Sequence, residues 1–187
     1  HKAIGLSPSH ISAYQLSVED GSSLAMLADS GRYTEAAEED CRRQYEVLCR
    51  LLDEAGYHHY EVSSFAYPGF EAMHNSAYWR RVPYAGLGAG AHSALAGADG
   101  KVNVRRWNSE AETGYVSGQE VLTEDNMRME TIMLGLRTDR GVDPSCLPAG
   151  SATMLMDEGA LALTREGNIR IPEERFFVSD EIIRELV

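Results

Sequence analysis

The sequence predicts an α/β fold followed by a small helical module with a β-wing. Three observations lead there. Residues 10–18 (HISAYQLSV) are rich in β-branched and aromatic types, and residues 57–67 (YHHYEVSSFAY) repeat that character. Between them Cys41, Tyr45, Leu48, Leu52 and Ala55 recur at steps of four and three, one apolar stripe along a helix. Strand, long helix, strand is a βαβ unit, so a parallel sheet or barrel is expected.

Each element carries its own signals. Pro8 and Asp20-Gly21 bound the first strand. Thr34 is placed to cap the helix, and Glu35, Glu38, Glu39 and Asp40 suit the positive end of its dipole; Gly56 ends it. Cys49 adjoins the apolar stripe, so both helix cysteines read as small core residues rather than reactive thiols. The second strand stops at Pro68-Gly69. HNSAYW (74–79) and YAGLGAGAHSAL (84–95) follow, then a short basic strand at 101–107 and a polar stretch of helical character over 109–120.

Thr123 is expected to cap a helix running to about Thr138, with Met129, Ile132, Met133 and Leu136 on one face and Gly141 as its stop. An apolar piece from Met154 to Leu163, a strand pair around 168–178 and a helix capped by Ser179 complete a winged-helix-like module. The expected domains are 1–108, a linker at 109–122, and 123–187.

Bulk composition narrows the function classes. The chain has 187 residues, enough for one full domain and a small second one. No apolar run approaches the ~18 residues of a membrane span, and the opening HKAIGL has no signal-peptide core. That opening reads instead as the last turns of a helix already under way, so the N-terminus is expected to be cut from something longer. With 17 Lys plus Arg against 29 Asp plus Glu, the net charge of −12 repels phosphate backbones and makes nucleic acid a poor partner. Residues 120–187 alone hold 14 acids against 7 arginines. Three widely spaced cysteines, Cys41, Cys49 and Cys146, are no disulfide framework and fit a reducing, cytoplasmic compartment. They form no C-x-x-C run, so no zinc ribbon or iron–sulfur loop is encoded.

HNSAYW concentrates a ligand-capable imidazole, an amide and two large aromatics in six residues. Imidazole is the usual protein ligand of haem iron, and flat aromatics offer a surface on which a porphyrin stacks. The plainer alternative makes Tyr78 and Trp79 core residues and His74 a hydrogen-bonded loop residue. The glycines at 86–90 lack the full G-x-G-x-x-G pattern of a dinucleotide site and more simply let the backbone pass close to a strand or a bound ring. His92 and Ser93 show no acid partner for a hydrolase. His58 and His59 point to opposite faces of a strand and cannot share a metal, while Glu61 shares a face with His59 and Ser63. Gln15 and Ser17 likewise share a face, opposite Tyr14 and Leu16.

Taken together, HISAYQLSVEDGS with its following helix, GYHHYEVSSFAYPG, HNSAYW and YAGLGAGAHS resemble, in order and spacing, the radical-SAM HemW/HemN proteins, relatives of oxygen-independent coproporphyrinogen III oxidase. LGLRTDRGVD at 134–143 is similar to the start of that family's C-terminal domain. The resemblance implies part of a radical-SAM barrel, with S-adenosylmethionine beside a [4Fe–4S] cluster. The cluster's cysteine loop would lie in an N-terminal half that this chain lacks, so the chain alone should be catalytically inactive. It implies that Tyr14, Gln15 and Ser17 border the S-adenosylmethionine pocket. It also implies that His74, Asn75, Tyr78 and Trp79 belong to an HNxxYW haem-binding motif, with His74 on the iron. Oxidases of the family lack that motif, which favours a haem chaperone that passes haem to an acceptor protein. The other readings are a coproporphyrinogen oxidase and a protein-docking adaptor. Two departures stand out: Ser64 replaces the family's usual Asn, and the segment from Gly141 to Gly159 is shorter by roughly a helix. An exposed edge on the first strand makes a homodimer an expected partner state.

Overall fold

Leu48, Cys49 and Leu52 bring one face of a 17-residue helix, α2 (Glu38–Glu54), onto a small sheet, and that packing builds the first of two compact units, His1–Glu71. The computed structural model describes residues 1–111 and 116–187. In the first unit β1 (His10–Ser12) is followed by α1 (Ser23–Asp29), α2, β2 (His58–Glu61) and β3 (Ser64–Ala66). Leu52, Tyr57 and Phe65 are its buried core, with Ile4, Ile11 and Tyr67 packed around them. Three acids in the first turn of α2 favour its dipole. Its N-cap is Ala37 and not the expected Thr34. Helix α1 has no counterpart in the sequence reading; Ser22 caps it, its hydroxyl accepting from the Ala25 amide at 3.0 Å.

The sheet order is β1-β3-β2, and both pairings are antiparallel. This corrects the adjacent parallel pair expected from strand–helix–strand. The stretch 57–67 is two strands, because the chain turns back at Val62-Ser63. The Glu61 carboxylate holds that turn, accepting from the Ser63 amide at 3.1 Å and from its hydroxyl. β3 therefore inserts between β1 and β2, which still run the same way, as a βαβ unit requires. The turn also shortens β1. Its last paired residue, Ser12, faces Ser64, and beyond that β3 offers no partner, so Tyr14 to Val18 leave the sheet.

The second unit, Ala72–Val187, begins with α3 (Met73–Trp79) and a meander of β4 (His92–Ala96), β5 (Val102–Asn108) and β6 (Val116–Val121), all antiparallel. β6 replaces the helical character expected over 109–120. Its polar side chains pair across the strands, Arg106 donating to Gln119 at 3.3 Å and Arg105 meeting Glu120 at 3.4 Å. Residues 112–115 of that expected helix lie outside the described residues. The compact units thus divide between Glu71 and Ala72, whereas the expected linker at 109–122 contains a paired strand.

α4 (Glu124–Gly135) starts as expected at Thr123, whose hydroxyl accepts from the Asn126 amide at 3.2 Å. After it come α5 (Ala149–Asp157), the hairpin β7 (Ala162–Leu163) with β8 (Ile169–Arg170), and α6 (Ser179–Arg184). The wing lies at 162–170, not 168–178, and Glu173–Val178 forms a 3₁₀ helix. Ser179 is buried as the first residue of α6; the N-cap position is Val178, and the helix has no side-chain cap bond. Ile132, Leu136, Leu155, Ile171, Phe176 and Ile183 form the core here. Among the described residues no helix is long and apolar enough to cross a membrane.

Gly141, between α4 and α5, passes against the wing at φ +64, and a Cβ there would lie 2.1 Å from the Ile169 carbonyl oxygen. That oxygen accepts from the Val142 amide at 2.8 Å, so it cannot move away freely. Gly141→Ala should cost roughly 2–4 kcal/mol from the left-handed backbone and the clash together, read as a lower urea midpoint.

Candidate functional site

In the second unit α3 presents HNSAYW within a seven-residue helix that begins at Met73, not in the loop of the plainer reading. Spacing of four places His74 under Tyr78 and Asn75 under Trp79, two neighbouring rows on one side of the helix. His74 and Tyr78 are exposed, and their rings meet edge-on with centroids 4.7 Å apart. Tyr84 continues the row, edge-on to Tyr78 at 4.7 Å. The helix stops through two crossed bonds, the Arg81 amide to the Tyr78 carbonyl at 2.9 Å and the Val82 amide to the Ala77 carbonyl at 2.9 Å. Glycine is the usual residue at this position, and Pro83 follows it as is common after such ends. Arg81 nevertheless occupies it at φ 54, a left-handed conformation that costs a non-glycine residue about 1 kcal/mol.

The glycine run has a backbone explanation. A Cβ on Gly86 would lie 2.1 Å from the His92 carbonyl oxygen, and the Gly86 amide donates to the Ser93 hydroxyl at 3.0 Å. Gly86 is thus what lets the segment before β4 close against β4 itself. His92 sits on β4 with its ring stacked toward Trp107, centroids 6.4 Å apart. It is therefore part of the meander, on a different element from His74.

Beside Tyr78 and Tyr84 lies a cavity of about 300 Å³ whose wall includes Arg81, Arg105 and Glu130. Glu130 accepts from Arg81 Nε at 3.1 Å through one carboxylate oxygen and from Arg105 through the other. Arg81 also donates to the Val102 carbonyl at 2.7 Å. Burial, with the nearby Arg105 charge, pulls the Arg81 guanidinium below its ordinary pKa. None of these three residues stood out in the sequence, because their meeting depends on the meander and on α4.

In the first unit Tyr14, Gln15 and Ser17 line a separate cavity of about 740 Å³, together with Tyr33, Glu35 and Tyr45. All three expected residues are exposed and belong to the irregular segment after β1, so the alternation of faces expected for a strand does not apply. Ser17 donates to Glu19 at 2.9 Å. Behind this cavity His59 is buried between Phe65, stacked at 4.1 Å, and the Tyr45 hydroxyl at 3.4 Å. A bulge between His59 and Glu61 turns Glu61 toward its own hairpin turn, where the carboxylate is buried.

The cysteines do not converge. Cys41 and Cys49 lie along α2, with Cys49 Sγ 4.0 Å from His59 Nδ1, and Cys146 belongs to the other unit. Burial raises the Cys146 thiol pKa, the opposite of what a metal-bound thiolate needs. Among the described residues no three His, Cys, Asp or Glu side chains converge as a metal site requires. These residues do not fit a [4Fe–4S] cluster. Anaerobic reconstitution of the chain with iron and sulfide should leave no stoichiometric visible absorbance from a cluster.

Over 164 residues the chain is 33% identical to the haem chaperone HemW of Synechocystis sp., a match spanning 81% of this chain and 38% of that one. It is 36% identical over 146 residues to the haem chaperone HemW of Bacillus subtilis, spanning 75% of this chain and 38% of that one. The chain belongs to the HemW/HemN-like radical-SAM family. It spans about two fifths of the length of these curated family members. The family's fold is also present in the solved structure of coproporphyrinogen III oxidase (HemN) from Escherichia coli, a radical SAM enzyme. There the TM-score is 0.62 at 14% identity, covering 98% of this chain and 49% of that one. No protein-family model matches the chain.

Proposed function

We propose that this chain is the haem-holding part of a HemW-like protein that takes up haem and passes it to an acceptor protein. The observation that carries the reading is the row of exposed His74 and Tyr78, continued by half-buried Tyr84, on and after α3. His74 supplies the axial nitrogen to the iron, Tyr78 and Trp79 form the ring's bed, and Asn75 flanks the imidazole on the neighbouring row. Haem is cargo here, bound and released unchanged. The curated relatives named haem chaperones support the same reading.

In the whole protein, the large cavity of the first unit suits S-adenosylmethionine. About 740 Å³ lies within the ~300–1,000 Å³ range of small-molecule sites. Its tyrosines offer faces for a purine, and Glu35 offers a carboxylate for a sulfonium or ammonium charge. Tyr14, Gln15 and Ser17 would border that cofactor, which supplies a sulfonium-linked adenosyl group when bound. A cytoplasmic setting fits three free thiols. Self-association would use the outer edge of β1, to which no strand pairs among the described residues.

The test is haemin titration of the chain followed by absorbance. A saturable Soret band that depends on His74 supports the reading. No uptake by the chain, with porphyrinogen decarboxylation by the whole protein, replaces it with an oxidase.

A further inference from the structure

The Arg81–Arg105–Glu130 cluster has no role in holding iron, yet it forms the wall of a cavity that shares Tyr78 with the proposed haem row. Two guanidiniums there face one carboxylate. Glu120 also meets Arg105 at 3.4 Å, both side chains being about half exposed, but Glu120 lies outside the lining. Arg81 and Glu130 are mostly shielded, their side chains 17% and 19% exposed. Tyr78, Tyr84, Val104, Leu122 and Met133 make the rest of the wall largely apolar. A surplus cation in an apolar wall is best matched by an anion carried on an apolar body.

Arg81 adds an independent argument. Its two bonds, to Glu130 and to the Val102 carbonyl, leave further N–H donors on a group that carries five. A glycine would close α3 at lower cost, so what the left-handed arginine contributes is its guanidinium. Its pKa is lowered by partial burial and by the neighbouring Arg105 charge.

We infer that this cavity is an anion subsite for a carboxylate arm of the porphyrin, with Arg81 and Arg105 binding a propionate while His74 binds the iron. This rests on the haem reading above. At about 300 Å³ the cavity is at the small end of ligand sites, suited to one arm and the adjoining ring edge rather than a whole macrocycle. Tyr78 touches both parts, edge-on to His74 on one side and lining the cavity on the other.

Haemin, and its dimethyl ester with both propionates blocked, are titrated against the chain and followed by absorbance. The proteins are wild type, Arg81→Gly and Arg105→Gln. Arg81→Gly removes the guanidinium and relieves the positive φ, so the helix end keeps its fold. Haemin should bind each variant roughly tenfold more weakly, as for loss of a charged hydrogen bond. Its Soret position should not change, and the ester should bind wild type and variants alike. Unchanged haemin affinity in both variants overturns the assignment, and so does an ester weakened as much as haemin. His74→Ala separates the two possible failures. Wild type that takes up no haemin removes both readings. Uptake that needs His74 but neither arginine removes the propionate subsite alone.

Discussion

Replacing His74 with alanine should move the Soret band of bound haemin and weaken uptake at least ~10-fold, the scale on which metal sites respond to losing a ligand or its support. The geometry makes this a clean experiment. His74 is exposed near the start of α3, so its removal uncovers no core, and alanine is the better helix former. The substitution removes one edge-on ring pair with Tyr78, worth about 0.5–1.5 kcal/mol. A change in spectrum therefore reports the iron's ligand and not a collapsed site. His92→Ala is the control. Its ring stacks toward Trp107 on the β4–β5 pair, and the variant should keep the wild-type band. If His74→Ala retains the wild-type spectrum and affinity while His92→Ala loses them, the axial ligand is His92.

What the sequence revealed divides along local and non-local lines. The stripe of Cys41, Tyr45, Leu48, Leu52 and Ala55, the Thr123 cap and the Gly141 stop all depend on neighbours in the chain, and α2 and α4 lie close to where those signals put them. The family was legible for a similar reason, because four short motifs stand in order along the chain, with Ser64 the departure within one of them. The hairpin at Val62-Ser63 was not. No Gly or Pro marks it, and the device that fastens it is the Glu61 carboxylate, which a sequence shows only as an acid in an apolar run. Missing that turn made β3 invisible and turned an antiparallel sheet into an expected parallel one. β6 was hidden because its polar residues pair with arginines on β5, a match that exists only once the strands are side by side.

The candidate site shows the same division. HNSAYW declared itself because four of its residues lie within one helical turn and a half. Arg81 stood in plain view two residues later, but Glu130 is 49 positions away and Arg105 lies on a strand between them. The glycines at 86–90 were ambiguous for a different reason. Close approach to a ring and close approach to backbone ask for the same residue, and only the position of the His92 carbonyl decides between them.

Acid should loosen the first unit through His59. Burial is the main cause that pulls its pKa from 6.5 down to about 4; the neighbouring His58 charge adds to it, and backbone contacts at Val62 and Glu61 partly oppose it. Between those two values the unfolded chain holds a proton on His59 that the folded chain does not, so stability rises with pH across the window. The contribution is fully present above ~6.5, falls as pH drops toward about 4, and levels off below. Over the whole window it amounts to roughly 3 kcal/mol, a large share of what holds a small α/β unit together. The ring is enclosed by apolar and uncharged groups, with the opposing Val62 carbonyl 3.5 Å from Nε2. Phe65 stacks on it at 4.1 Å, Cys49 Sγ lies 4.0 Å from Nδ1, and the Tyr45 hydroxyl is 3.4 Å from Nε2. Carboxylates elsewhere titrate nearby in pH, so the readout is a difference. Urea midpoints of wild type and His59→Leu are compared from pH 7.5 to 4.5 by far-ultraviolet circular dichroism. Leucine keeps an apolar filling against Phe65 and has nothing to protonate. The wild-type curve should fall toward the variant's as pH drops, with most of the change between pH 6.5 and 4.5. Two curves that stay parallel across that range would show that His59 does not carry the acid sensitivity of this unit.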